Sequence, residues 1–205
     1  MIRRVSILGG AFAAAFAAAV PAAAAPRLHD GFQLRLEPGL GPVGVTESFG
    51  NIESELSGMG SSFHLQLGGT PARGFVVGGT LFGSSVADPT AKSGNLEVKT
   101  DGTMMLAGVG AYGSYYFDPA AGGHVQLFVG FAALDYVHAD GQSGGTDPTG
   151  TVFGVSGGYE FWVSDEWSIG PVLRLTFGSL SAESGGATLD YSYFQPALAA
   201  AITFH

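Results

Sequence analysis

The closing stretch, Tyr191 to His205, constrains the fold more than any other part of the chain. Successive side chains of a strand point to opposite faces. Read with that period, Phe194, Pro196, Leu198, Ala200, Ile202 and Phe204 share one face, and Tyr193, Gln195, Ala197, Ala199, Ala201 and Thr203 share the other. One face is apolar throughout and the other is small or polar. An apolar stripe of this length, ended by an aromatic residue, suits a strand bathed in lipid. Such a strand closes a barrel by pairing with the first.

With these residues the chain resembles the small eight-stranded outer-membrane β-barrel proteins, the group that includes the OmpA transmembrane domain, OmpX and the opacity proteins. The resemblance implies that Leu198, Ala200, Ile202 and Phe204 form the ending that the barrel-assembly machinery reads, although here His205 follows the aromatic. It covers everything after the leader as a pattern rather than a distinctive motif. It therefore speaks to architecture, and fold alone does not choose a function.

Seven further segments carry the same alternation. Phe32, Leu34 and Leu36 oppose Gln33, Arg35 and Glu37. Phe63, Leu65 and Leu67 oppose Ser62, His64 and Gln66. Phe75, Val77, Gly79 and Leu81 follow, then Met105 to Phe117, then Val125 to Ala133. The last two before the closing strand run from Phe153 to Val163 and from Trp167 to Phe177. The expected fold is all-β: an eight-stranded antiparallel transmembrane β-barrel in up-and-down meander order. Short turns are expected near Pro71, Ala120 and Asp165, and long exposed loops over Pro42–Ser57, Val86–Asp101, His138–Thr149 and Ser179–Leu189. Outer-membrane barrels show this asymmetry, with short periplasmic turns and longer outer loops. Tyr115, Tyr116, Phe117, Phe161, Trp162, Trp167 and Phe204 lie beside the short turns and are expected to form the periplasmic aromatic girdle. Pro171 and Pro196 fall inside strands, where a missing N–H breaks the ladder, so bulges are expected there.

Residues 1–25 read as a signal peptide, with Arg3 and Arg4 before an apolar run and Ala22-Ala23-Ala24 as a small-residue cleavage site. Residues 26–205 are then one domain, the barrel. The opposing reading, a spanning helix, needs about 20 apolar residues, and this run is alanine-rich. The 34 glycines and only 12% charged residues, with no spanning helix beyond the leader, fit a transmembrane barrel. A soluble β-sandwich or lipocalin-like barrel is the competing class. The net charge of −9, more acidic still without Arg3 and Arg4, excludes nucleic acid as a partner. With no cysteine, there is no disulfide, thiolate nucleophile or thiolate ligand.

Inside so narrow a barrel, side chains fill the lumen. Arg35 and Arg174 are expected to meet Glu37 and Glu160 in an interior charge network, because buried charges must pair or be hydrated. A trio for acyl transfer would draw on His138, Asp135 or Asp140, and Ser143 or Ser181, but no serine stands in a Gly-x-Ser-x-Gly elbow. No enzyme, no cofactor and no metal site are expected. The expected role is structural or interactive at the cell outer membrane, with lipid and lipopolysaccharide as surroundings and acidic outer loops meeting ions or other cells. A narrow porin for small solutes is the alternative, and a lipid A-modifying enzyme comes third.

Overall fold

The computed structural model describes residues 27–50, 52–94, 96–139 and 147–205. The expected signal peptide, Asp140 and Ser143 lie outside them. The strands are β1 (Phe32–Phe49), β2 (Ile52–Ala72), β3 (Phe75–Ala87), β4 (Thr90–Ser93), β5 (Leu96–Lys99), β6 (Gly102–Tyr116), β7 (Gly123–His138), β8 (Thr149–Tyr159), β9 (Phe161–Trp162), β10 (Trp167–Ser184) and β11 (Ala187–Phe204). All pairings are antiparallel. β1 is bonded to both β2 and β11, which closes the ring β1–β2–β3–β6–β7–β8–β10–β11 into an eight-stranded barrel, with β9 continuing β8 alongside β10.

The period of two sets the two faces. On β11, Tyr193, Gln195, Ala197, Ala199, Ala201 and Thr203 are buried inside the barrel, whereas Leu198 is 66% exposed on the outside. Leu127, Val129 and Phe131 on β7, and Leu173 on β10, are exposed in the same way, so an apolar belt surrounds the barrel. That much contiguous exposed apolar surface marks contact with lipid rather than water. Near the short turns, Phe204 packs against Trp167 (ring centroids 5.2 Å apart) and Phe32 (6.4 Å), and Tyr159 against Phe161 (4.8 Å). Tyr116 and Trp162 leave the expected girdle. They sit on the inward parity, and Tyr116 is only 1% exposed.

Two of the expected outer loops are strands. β1 and β2 run 18 and 21 residues and turn at Gly50, while β10 and β11 run 18 residues each and turn at Gly185-Gly186. These glycines take positive φ (59°, 61° and 86°), as tight hairpins require. Spanning takes only about 9 to 11 residues, so these four neighbouring strands continue past the apolar belt. Past Val45 and Leu180 neither face of the extension is buried, and just below them the lumen-facing residues are as apolar as the belt, so alternation is lost from the sequence while backbone pairing persists. The Val86–Asp101 segment likewise contains the β4–β5 hairpin, docked on β2 through Glu55↔Lys92, Leu56↔Ala91 and Ser57↔Thr90.

No bulge accompanies the prolines. The β10–β11 register runs unbroken through Pro171↔Ala200 and Leu175↔Pro196. The missing donors fall where a ladder is already interrupted. Pro171 lies by the break between β8 and β9, where the Glu160 N–H donates to the Gly122 carbonyl at 3.0 Å. The β1–β11 register sets Pro196 opposite Pro42, between the pairs Leu40↔Leu198 and Gly44↔Phe194. Two prolines facing each other leave no N–H unsatisfied on either side.

Candidate functional site

The interior has two halves of different chemistry. Toward the long-strand end it is apolar, filled by Val43, Val45, Phe82, Met104, Leu106, Leu134, Val152 and Leu180. Toward the short-turn end it is polar and charged. His64 marks the border, stacked on Phe82 (5.6 Å) and edge-on to Phe128 (5.0 Å).

In the polar half the four interior charges form one continuous chain. Arg174 pairs with Glu37, Glu37 lies 3.4 Å from Arg35, and Arg35 pairs with Glu160, with all four side chains buried. Two guanidiniums and two carboxylates make the set neutral, which is what charge removed from water requires. Arg35 is the hub: it donates to Thr203 Oγ1 (3.1 Å), Gln126 Oε1 (3.2 Å) and Tyr116 Oη (2.5 Å) besides its ion pairs. Arg174 is held less completely, since its Nε and Nη1 have no hydrogen-bond partner among the described residues.

A second cluster closes the short-turn mouth. Residues 27–31 cross it, tied down by the Arg27 N–H to the Asp165 carbonyl (3.1 Å) and the His29 N–H to the Pro119 carbonyl (2.8 Å). The crossing presses His29 flat on Tyr116 (4.0 Å between centroids, 11° between planes) and beside Trp162 (4.5 Å). His29 Nδ1 faces His205 Nε2 at 3.0 Å. Ser168 Oγ donates to Glu160 Oε2 (2.5 Å) and lies 2.9 Å from His205 Nε2. Burial, reinforced by nearby groups including Arg35, holds both imidazoles neutral, pulling His29 down to about 2 and His205 to about 3. The sequence places His205 on the short-turn side, His29 before the first strand and Glu160 in the lumen, but nothing in it brings the two histidines together, because they lie 176 positions apart.

Leu198, Ala200, Ile202 and Phe204 all lie on the outward face of β11. Of the acyl-transfer candidates among the described residues, His138 and Ser181 are not brought together. His138 ends β7 on its inward parity, edge-on to Tyr136 (4.8 Å), while Ser181 points outward from β10. Asp135 and His138 instead border a cavity of about 220 Å³ at the long-strand mouth, with Glu47 and Tyr191 at its rim and Val45, Leu56 and Met104 below.

A closed ring of eight antiparallel strands, apolar outside and filled with side chains and paired charges inside, defines a small outer-membrane β-barrel. Among solved structures, the chain is similar to the outer membrane protein OprG of Pseudomonas aeruginosa, with a TM-score of 0.52 and 10% identity over 88% of this chain and 99% of that one. It also matches Neisserial surface protein A with a TM-score of 0.47 and 10% identity, over 84% and 97% of the two chains. At such identity the likeness to OprG is one of fold alone. No protein-family model matches the sequence, and no curated protein matches it.

Proposed function

We propose that the protein is exported by its signal peptide to the outer membrane and acts there as a surface-interaction barrel. The observation that supports this is the tall wall on one side of the mouth, where β10, β11, β1 and β2 outrun the belt and β4–β5 extends their sheet. The wall is acidic, with Glu53, Glu55, Glu97, Glu183 and Asp190 against Lys92 and Lys99. It ends at β5, whose Leu96 and Val98 are 71% and 56% exposed and whose outer edge pairs with no further strand among the described residues. An exposed sheet edge offers backbone donors and acceptors to another chain. The interior serves stability in this reading, with no transport and no catalysis.

Replacing residues 90–99 by a two-glycine turn removes the hairpin and leaves the ring intact. Cells carrying this variant should keep a heat-modifiable barrel in the outer-membrane fraction and lose adhesion to other cells. Adhesion equal to that of the full chain would overturn the surface-interaction role, and recovery of the protein in the soluble periplasm would overturn the membrane placement.

A further inference from the structure

We propose that His29, His205 and Glu160 form a binding site for a divalent transition-metal ion of the zinc class, which clasps the two ends of the barrel chain together. Their donor atoms all lie within 4.8 Å of one another, and the three residues are 0%, 5% and 1% exposed. The closest approach is 3.0 Å, between His29 Nδ1 and His205 Nε2, and His205 Nε2 lies 3.9 Å from Glu160 Oε2. Ligand atoms around a tetrahedral zinc ion stand about 3.3 Å apart, given bonds of about 2.0 to 2.1 Å. The observed spacings straddle that value, so small side-chain rotations complete the triangle.

Two histidines and one carboxylate, with no thiolate, form a donor set suited to zinc and its borderline neighbours rather than to calcium or magnesium. Two ring nitrogens aimed at each other inside a protein share one proton or one metal. His29 Nε2 is buried without a hydrogen-bond partner among the described residues, so no neighbour pins the proton to Nδ1, and Nδ1 is able to offer its lone pair. Outer support is built around the carboxylate ligand. Arg35 and Tyr116 hold Glu160 Oε1, whereas Ser168 and His205 face Oε2, so an ion meets the carboxylate on the side away from the guanidinium. Ser168 Oγ is the nearest candidate for a fourth ligand. Tyr116 and Trp162 wall the site against the His29 ring.

The location gives the ion a role. His29 precedes β1, His205 follows β11, and Glu160 sits at the break between β8 and β9. A metal here ties the first and last strands across their seam and seals the short-turn mouth.

The test uses the full mature chain, refolded in detergent without a histidine tag, titrated with Zn²⁺ and separately with Co²⁺. One equivalent of Zn²⁺ should raise the temperature of the heat-induced gel-mobility shift, and Co²⁺ should develop the visible ligand-field bands of a nitrogen–oxygen site. His29→Asn and His205→Asn should each abolish both effects, while His138→Asn, exposed at the other end, should change neither. Because His29 lies outside the strands, H29N keeps the test decisive even if H205N fails to fold. Absence of the cobalt bands in the unmodified chain, or their persistence in H29N, would overturn the site.

Discussion

Arg174 and Glu37 form an ion pair buried inside the barrel, and Glu37 is shared with Arg35, 3.4 Å away on its other side. Removing Arg174 alone leaves a buried carboxylate with one partner instead of two. Arg174→Ala should therefore lower the unfolding free energy, measured by urea titration in detergent, toward the lower end of the roughly 3 to 5 kcal/mol typical of a broken buried pair. Exchanging both partners, Arg174→Met with Glu37→Leu, should recover most of that loss. A double variant as unstable as the single one would mean that Glu37 serves Arg35 more than Arg174.

The lumen is blocked twice, by the charge chain in one half and by Phe82, Phe128 and their apolar neighbours in the other. Planar-bilayer recordings of the folded protein should show no steady conductance. A stable open level would favour the narrow-pore reading over a filled interior.

Leu198 points outward between the girdle at Phe204 and the wet extension of β11. Leu198→Arg should cost about 2 to 4 kcal/mol for a charge near the bilayer midplane. Thr188→Arg, exposed beside the Gly185-Gly186 turn, should change stability by no more than about 0.5 kcal/mol. Equilibrium unfolding of the two variants in lipid vesicles checks the difference, and equal small effects would remove the belt from the membrane.

Gly41 and Gly44 lie three residues apart on β1 and differ in what a methyl group would meet. A Cβ on Gly41 would run into the Pro196 carbonyl and the Ala197 Cα across the seam, whereas one on Gly44 meets nothing within 4 Å. Gly41→Ala should destabilise the barrel by about 1 to 3 kcal/mol, the usual cost of overpacking. Gly44→Ala should be neutral or slightly stabilising. Refolding yield and melting of the gel shift would separate them, and indistinguishable variants would argue against so close a β1–β11 approach at Gly41.

The pleat of a single strand is local, so the sequence alone determined which face each residue takes. Leu198 and Phe204 lie outward, Gln195 and Thr203 inward, and Arg35, Glu37, Glu160 and Arg174 fall on the lumen side, because apolar and polar residues alternate where one face meets lipid. The eight-strand ring and its short turns were legible for the same reason. Where both faces meet water, or where the lumen face is as apolar as the belt, as at Val43 and Val45, alternation carries no information. Only the tertiary structure decided that Pro42–Phe49 and Ser179–Ser184 continue as strands and that Thr90–Lys99 folds back on β2. Ring closure is also non-local. It set Pro42 opposite Pro196 and brought His29 beside His205, because the register between the first and last strands depends on the shear of the whole barrel.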